Sequence, residues 1–567
     1  MTAHHRRGRS ARRRRPALSF LVAACLLVAG CVLAGIVWNP FSAGAGTTGA
    51  ASGPAKNGAA APGRPSASPA PPVPGSGEAP LAPGQMPPSA SPGKGNGGGG
   101  GQDGPAASRP AGALPFDLPQ AATLRKSKKL VFAHYFTPYP LSLDNLSADR
   151  DYYTRHYLNP DGEGGKHGAY GGLLRDRPLP VQPKDGNWVL ANLKQEVRTA
   201  RAAGLDGFTL DLLSLSGRNW EWSNLLMEAA RTTDPGFKIM LMPDMTSLRT
   251  DDPAVLADSL AKLAKSPAAH RLPDGRLVVS PFKAEQKSVA WWTRVLDTLR
   301  TKHGIRTAFV PLFLDFGAHH AAFTPISHGF SEWGSRSYTG QESSTRDVRS
   351  AHAAGKIWMQ PVSVQDARPN QGIYDEAGNT ATLRATWTRA IEDGADWVQL
   401  TTWNDYSEGS QFAPSLHNGH TYLDLSSYYL TRFKTGSWPK ITRDTLYLSS
   451  RTQFASADPT GDQSLLMNLR RGSAAPRDSV EVLSFLTAPA TVRTTVGSAK
   501  ASHEAPAGVH ATLLPLRPGT SEAEVVRGGR AVKGAGVELP YPVTRSVDVQ
   551  DLQYYAATSA RSVPACC

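Results

Sequence analysis

The middle of the chain alternates short apolar runs with longer amphipathic segments, and this alternation limits the fold more than any other feature. Amphipathic segments that end at glycines, such as those ending at Gly204 and Gly304, predict helices between the runs. Alternating strands and helices imply a parallel sheet, and eight repeats within about 300 residues predict a (β/α)8 barrel. The eight predicted strands are Leu130–Phe136, Asp206–Leu213, Phe237–Asp244, Leu277–Phe282, Thr307–Leu314, Gly329–Trp333, Lys356–Val362 and Trp397–Thr402.

We assign this barrel to residues 114–438. A doubly wound open sheet is the alternative fold. That fold normally has a glycine-rich turn after its first strand, and the segment from His134 to Tyr139 contains no glycine. The absence of that turn favours the barrel.

The first 113 residues predict a basic tail, a membrane-spanning segment and a flexible linker. Seven arginines lie between residues 6 and 15, so much of the formal net charge of +14 belongs to a basic tail, 1–16, and supports nucleic-acid binding only weakly. Residues 17–38 carry no charge and are long enough to span a bilayer, with the arginine side in the cytoplasm and the remainder outside. A cleaved signal peptide and lipidation at Cys31 are the alternatives. Residues 39–113 are rich in Gly, Pro, Ala and Ser and predict a disordered linker of a bacterial surface protein.

Residues 439–556 predict a β-sandwich accessory domain, followed by a tail at 557–567. The segment consists of short alternating runs such as Val480–Leu486, separated by Gly and Pro. Its role, scaffolding or carbohydrate binding, stays open. No cysteine lies between Cys31 and Cys566, which excludes a disulfide framework and a cysteine metal site there. We expect no metal and no cofactor.

In a barrel of this kind the functional side chains lie where the strands end. The eighth strand leads into Trp403-Asn-Asp-Tyr-Ser-Glu408, which places two carboxylates three residues apart among aromatic residues. Five strands deliver a carboxylate to the same rim, more than helix capping requires. The candidate site residues, in chain order, are His134, Tyr135, Asp211, Asp244, Asp315, Glu332, Trp333, Gln360, Trp403, Asn404, Asp405, Tyr406 and Glu408.

Asp405 and Glu408 are the candidate catalytic pair. Glycoside hydrolysis uses two carboxyl groups whose surroundings give them different pKa values. The alternative for Asp405-Tyr-Ser-Glu408 is a capping box at a helix start. The position after a late strand, beside Trp403 and Asn404, favours catalysis. We assign Glu408 as general acid and Asp405 as general base, and the reverse remains open.

These segments resemble glycoside hydrolase family 71, the α-1,3-glucanases also called mutanases. The similarity lies in Val131-Phe-Ala-His134, in Ala203-Gly-Leu-Asp-Gly-Phe208 and most clearly in Trp403-Asn-Asp-Tyr-Ser-Glu408, where the family has Gly in place of Ser. The resemblance implies a (β/α)8 barrel, inverting endo-hydrolysis of α-1,3-glucan and an accessory β domain.

The resemblance also implies roles for individual residues. Asp405 and Glu408 correspond to the family's paired acids. A further essential aspartate on the second strand corresponds to Asp206 or Asp211. Asp206 fits the family pattern better, but it begins the strand, so we prefer Asp211 as the third catalytic residue.

Two departures from the family bear on the substrate. Ser407 replaces the family's glycine, and the loop from Tyr139 to Pro183 is a divergent insertion. The expected substrate is therefore α-1,3-glucan or a related α-glucan, with an α-mannan as an alternative. A non-catalytic carbohydrate-binding surface protein is the second hypothesis. We expect a membrane-anchored, extracellular monomer that acts on a polysaccharide and binds no nucleic acid.

Overall fold

The structure is a computed structural model, and it describes residues 114–561. The expected basic tail, membrane segment 17–38, linker and last six residues lie outside this range. Within the range, the helices are all too short or too polar to cross a membrane.

The predicted parallel sheet is present. Its strands are β1 Leu130–Tyr135, β2 Gly207–Leu212, β3 Lys238–Pro243, β4 Leu277–Val279, β5 Thr307–Phe309, β6 Leu312–Phe313, β7 Gly329–Glu332, β8 Ile357–Val362 and β11 Trp397–Leu400. Their order across the sheet is β5-β4-β3-β2-β1-β11-β8-β7-β6, and every neighbouring pair is parallel.

The two outermost strands, β5 and β6, are halves of one predicted strand. Only Val310 and Pro311 separate them, and Pro311 has no backbone N–H to donate to a ladder. The Pro311 carbonyl instead accepts from the N–H of Ser331, at 3.0 Å. Both ends of the sheet thus belong to a single interrupted strand, which is the strand order of a (β/α)8 barrel.

Eight helices of at least eight residues follow the barrel strands in the part of the chain that the structure describes. They are α1 Trp188–Ala202, α2 Gly217–Thr233, α3 Pro253–Leu263, α4 Val289–His303, α5 Phe316–Phe323, α6 Glu342–Ala353, α7 Ala381–Glu392 and α8 Thr421–Thr435. Helix α5 was not predicted, because its Gly, Ala, His and Phe residues form no clear polar face. It begins at Asp315, whose carboxylate accepts from the N–H of Ala318 at 3.0 Å.

The barrel interior is apolar at the end where the strands begin. Phe132, Met240, Met359 and Trp397 are buried in one cluster there. Alternate strand residues face the helices instead, as Leu210 does on β2. Towards the other end of the strands the buried side chains become polar, with His134, Asp211 and Gln399. The polar residues therefore lie at the C-terminal ends of the strands, which we call the rim.

The C-terminal part forms two four-stranded antiparallel sheets, β17-β14-β12-β20 and β16-β15-β18-β19, which share an apolar core. Strands β16, β19 and β20 were not predicted, since Ala and Gly fill many of their positions. Strand β20 also crosses the expected boundary at residue 556. The strands are β12 Thr445–Ser450, β14 Ser479–Leu486, β15 Ala490–Val496, β16 Ala499–Ala505, β17 Gly508–Pro515, β18 Gly519–Arg527, β19 Arg530–Val543 and β20 Tyr555–Thr558.

A small third sheet joins the two regions. The hairpin of β9, Asp366–Arg368, and β10, Ile373–Asp375, lies between β8 and α7. Strand β13, Asn468–Leu469, comes from the C-terminal region and pairs in parallel with β10. The sequence did not predict this sheet, because its strands are short and distant in the chain.

Candidate active site

The loop after β11 carries Asp405 and holds it by local hydrogen bonds. The Asp405 N–H donates to Thr402 Oγ1 at 2.8 Å. Its carboxylate Oδ1 accepts from the N–H of Ser407 at 3.0 Å and from the Ser407 hydroxyl at 2.6 Å. Burial raises the pKa of Asp405, while Ser407 and Arg368 act in the opposite direction. Ser407, at the position that departs from the family pattern, therefore stabilises the charged form of Asp405.

Glu408 lies close enough to Asp405 for their charges to interact, and its two carboxyl oxygens differ. Oε1 forms an ion pair with Arg368 Nη1 at 2.8 Å, and the side chain is 16% exposed. Oε2 accepts no hydrogen bond from any residue that the structure describes. Burial raises the pKa of Glu408 to about 7; Arg368 opposes the shift, and Asp405 and Asp366 add to it. Arg368 thus holds Oε1, whereas Oε2 has no hydrogen-bond partner among the described residues. The carboxyl group carrying them has a pKa of about 7.

His134 and Asp211 form a second, more deeply buried pair. His134 Nε2 lies 3.5 Å from Asp211 Oδ2, and His134 Nδ1 lies 3.2 Å from the sulfur of Met242. Burial lowers the pKa of His134 to about 4 and raises that of Asp211 well above its ordinary value. The charge of Glu408 opposes the lowering of the His134 pKa and adds to the rise of the Asp211 pKa. The His134 imidazole is therefore neutral at neutral pH, and burial favours the protonated form of Asp211 beside it.

Trp333 lies against His134, with ring centroids 5.1 Å apart and nearly perpendicular planes. Phe282 contacts it from another side at 4.8 Å, and the guanidinium of Arg336 lies over its ring at 4.7 Å. The candidate site residue Trp333 is therefore next to the buried pair. The Asp244 carboxylate accepts a hydrogen bond from the hydroxyl of Ser247, in the turn that follows it, at 2.7 Å. Its negative charge favours the protonated forms of His134 and Asp211.

Arg336 and Arg368 are residues that the sequence did not single out. Arg336 is 4% exposed and donates from Nη1 to the carbonyl of Thr401 at 2.6 Å. Its Nε and Nη2 find no partner among residues 114–561. Both arginines come from segments that follow strands β7 and β8, where no motif marks them. Only a search for cations near the acid pair in space would have found them.

Three candidates point away from the rim, into the layer between sheet and helices. The hydroxyl of Tyr135 donates to Glu196 of α1 at 2.8 Å, and the indole of Trp403 donates to the same carboxylate at 3.3 Å. Gln360 accepts from Ser344 of α6 at 2.8 Å. Side chains alternate along a strand, so the residue after the inward-facing His134 must face outward.

Two further candidates brace the loops around the site. Asn404 accepts from the N–H of Phe136 at 2.8 Å and donates to the carbonyl of Tyr139 at 2.8 Å. Tyr406 is buried in a cluster with Tyr139 and Tyr153. The two residues thus fix the loop after β11 to the long loop after β1.

The remaining acids lie elsewhere. Asp315 caps α5, and Glu332 interacts with Asp347 of α6. Asp206 accepts from the N–H of Val131 at 2.8 Å and pairs with Lys434, at the end of the barrel where the strands begin. Of the two alternatives for the third acid, only Asp211 shares the rim with Asp405 and Glu408. Among the described residues no cluster of three or more His, Cys, Asp or Glu side chains is arranged to hold a metal ion.

Comparison with known proteins adds a family to this geometry. The model of Glycosyl hydrolase family 71 matches residues 183–562. A glucan endo-1,3-alpha-glucosidase of Schizosaccharomyces pombe is 24% identical over 388 residues, which cover 62% of this chain and 88% of that protein. A mutanase of Penicillium rubens is 24% identical over 374 residues, covering 61% and 80%. Among solved structures, a GH99 endo-alpha-mannosidase from Bacteroides thetaiotaomicron superposes with a TM-score of 0.44 at 14% identity, covering 54% of this chain and 98% of that one.

Proposed function

This chain belongs to glycosyl hydrolase family 71 and is a glycoside hydrolase; from that premise we propose that it cleaves α-1,3-glucan, or a closely related α-glucan, with inversion. The names of its relatives support the substrate class. One observation carries the mechanism: Glu408, beside Asp405 on the rim, keeps Oε2 uncommitted and has a pKa raised to about 7.

In this proposal Glu408 is the general acid. A carboxyl group with a pKa near 7 is mostly protonated in mildly acidic water and about half protonated at neutral pH, and so can donate from Oε2 to the departing glycosidic oxygen. Asp405, whose charged form Ser407 stabilises, deprotonates the attacking water. Inversion requires room for that water, with carboxyl groups about 6.5–9.5 Å apart during the reaction.

The remaining rim residues bind and orient the sugar. Trp333 offers a ring for the apolar face of a pyranose, and Arg336 offers two N–H groups for hydroxyls. Burial favours the neutral forms of His134 and Asp211, which can form hydrogen bonds to hydroxyls without adding charge beside Glu408. In this proposal these residues bind the sugar, and Glu408 and Asp405 transfer the protons.

The experiment measures hydrolysis by the purified full chain on α-1,3-glucan, α-1,4-glucan and α-mannan. We expect new reducing ends from α-1,3-glucan, and NMR of the first product should show the β anomer. An α anomer in the first product would overturn inversion. Release from α-mannan alone would overturn the α-glucan assignment and leave the hydrolase in place.

Two variants separate the acid from the base. Glu408→Gln should retain most of its activity on an aryl α-glucoside whose leaving group needs no proton, and lose it on the polysaccharide. Asp405→Asn should be inactive on both, because water still needs a base. The opposite pattern would reverse the two roles.

We also place the enzyme outside the cell membrane, as a monomer held by residues 17–38. The arginine cluster before that uncharged segment supports this orientation. Protease added to intact cells should remove the hydrolase activity, and light scattering of the detergent-extracted protein should give the mass of one chain. Protection from the protease would contradict the orientation.

A further inference from the structure

Glu408 is fixed by strand β9 through both its main chain and its side chain. Arg368 makes two hydrogen bonds to Asp366, Nε to Oδ1 at 2.7 Å and Nη2 to Oδ2 at 2.5 Å. Its remaining nitrogen, Nη1, reaches Glu408 Oε1 at 2.8 Å. The N–H of Ala367 donates to the Glu408 carbonyl at 2.7 Å. Because a planar guanidinium with three fixed contacts has little freedom, Arg368 sets where the Glu408 carboxyl lies.

The C-terminal region holds this arginine from behind. The N–H of Arg470, directly after β13, donates to the carbonyl of Tyr374 in β10 at 2.8 Å. Arg470 Nε donates to Asp375 Oδ2 at 2.7 Å, and its Nη2 lies 3.8 Å from Asp366 Oδ1. Burial alone would raise the pKa of Asp366, but Arg368, Arg336 and Arg470 hold it below the ordinary value. Asp366 therefore stays charged and keeps Arg368 in place.

The same region also contacts the residue after Glu408. Gly409 has φ of +64°, and a Cβ there would lie 2.3 Å from Nε2 of Gln553. The N–H of Tyr554 donates to Gln365, directly before β9, at 2.9 Å. The C-terminal region thus contacts both the residue after Glu408 and the residue before β9.

Tyrosines of this region pack on the barrel. Tyr541 donates to the carbonyl of Leu416 at 2.8 Å, and Tyr555 packs edge-on against His417 at 4.2 Å. A separate sugar-binding module would expose its aromatic side chains. Here Tyr541 and Tyr555 pack against the loop between β11 and α8.

We propose that Arg368 is the positioning residue for Glu408, and that Arg470 supports it through Asp375 and Asp366, so that the C-terminal β region takes part in catalysis by the barrel. This inference rests on the role proposed for Glu408. It also answers a question left open by the sequence, because it makes the β region a support for the active site.

Removing Arg368 should change the protonation of Glu408 in a known direction. Arg368 is the strongest of the charges that hold the pKa of Glu408 down, so its loss raises that pKa. If Glu408 is the acid, the basic limb of the kcat profile moves to higher pH; if it is the base, the acidic limb does. The charged and titratable groups that face Glu408 are Arg368 and Asp366 of β9, Arg336 after β7, Asp405 of its own loop, Asp211 of β2 and His134 of β1.

The experiment uses the full chain and four variants: Arg368→Gln, Arg368→Lys, Arg470→Gln and Arg471→Gln. Arg471 is exposed beside Arg470, so its variant removes the same charge without removing the contact. We expect Arg368→Gln to lower kcat about 100-fold with little change in KM, and to move the Glu408 limb up by about one pH unit. Arg368→Lys should restore the limb and only part of kcat. Arg470→Gln should lower kcat and move the Glu408 limb to higher pH, each by less than Arg368→Gln does. Arg471→Gln should match the parent.

A measurement without substrate separates this inference from the proposed function. The infrared C=O band of protonated Glu408, identified by its absence in Glu408→Gln, should titrate at higher pH in Arg368→Gln. An unshifted band overturns the inference even if the substrate is different from the one proposed. Full activity in Glu408→Gln overturns the proposed function, and with it the role of Arg368.

Two outcomes concern the individual arginines. Equal kcat in Arg470→Gln and Arg471→Gln overturns the part assigned to the C-terminal region. Thermal melting shows whether Arg368→Gln folds. If it does not, Arg368→Lys decides, because parental kcat in that variant overturns the positioning role.

Discussion

Glu408 and Glu332 both lie at or after the C-terminal end of a barrel strand and have similar burial, but they have different partners. Burial raises the pKa of Glu408 to about 7 and that of Glu332 to about 8. Glu408 faces Arg368, whereas Glu332 faces Asp347, whose own pKa is raised to about 6. Strand alternation turns Glu332 towards α6 and the next residue, Trp333, towards His134.

The difference shows that a raised pKa alone does not identify a catalytic acid. Glu332 faces Asp347 in the helix layer, where burial and the charge of Asp347 favour the protonated form of Glu332. Glu408 has an arginine on one oxygen, and its second oxygen has no hydrogen-bond partner among the described residues, which is what the general acid proposed above requires. The identity of the partner and the direction of the side chain make the distinction.

The largest expected effect comes from exchanging each acid for its amide. Glu408→Gln should lower kcat about 10²–10⁴-fold on the polysaccharide, the usual contribution of a general acid. Glu332→Gln should change kcat less than about threefold, because glutamine has the shape of the protonated carboxyl already present. Reducing-end assays at saturating substrate and pH 6 measure both. A comparable loss in the two variants would end the distinction.

Trp333 tests whether its ring serves the substrate. Trp333→Ala should lower kcat/KM about tenfold, because a sugar would lose an aromatic face. Trp333→Phe should recover part of the loss, and Glu332→Gln serves as the neighbouring control. Unchanged kcat/KM in the alanine variant would place the sugar elsewhere on the rim.

Asp211 is a third carboxyl group, and it has no arginine partner among the contacts described. Burial and the charges of Asp244 and Glu408 raise its pKa and favour its protonated form, so Asp211→Asn should lower kcat less than about tenfold. Asp211→Ala should cost more, since His134 would lose its neighbour. A loss in the asparagine variant as large as in Glu408→Gln would mean that Asp211 reacts in its charged form.

The sequence located the barrel strands and the acid pair because both depend on local pattern. Apolar runs broken by glycines marked all eight strands, and Asp405 and Glu408 lie within six residues that follow one of them. Side-chain direction was harder to predict. Tyr135 and Gln360 are each next to the rim in sequence, but one step along a strand turns a side chain to the opposite face. Trp403 lies in the loop after β11, which ends at Leu400, so the strand period does not apply to it.

The arginines could not be predicted for a different reason. Arg368 reaches Glu408 from a hairpin, and Arg470 reaches Asp375 from β13, 95 residues further along the chain. No periodicity in a single sequence encodes such pairings, which depend on how the C-terminal region docks on the barrel. Helix α5 was missed because its composition lacks the polar face from which amphipathic helices are recognised.

The smallest expected effect concerns the free energy of unfolding, and it tests whether the proton on Glu332 stabilises the fold. The pKa of Glu332 rises from 4.5 to about 8 in the folded protein, so the folded state binds this proton more strongly than the unfolded state. That stabilisation is complete below pH 4.5 and is lost as pH rises through 8. Glu332→Gln cannot lose a proton, and should gain about 2 kcal/mol over the parent between pH 5 and pH 8.5, after discounting for partial exposure.

Urea unfolding at the two pH values measures this difference. Glu342→Gln, at the exposed first residue of α6, is the matched control and should show no pH-dependent difference from the parent. A parental pH dependence in Glu332→Gln would mean that the proton on Glu332 does not stabilise the fold. The comparison of Glu408 with Glu332 would then rest on their partners and side-chain directions alone.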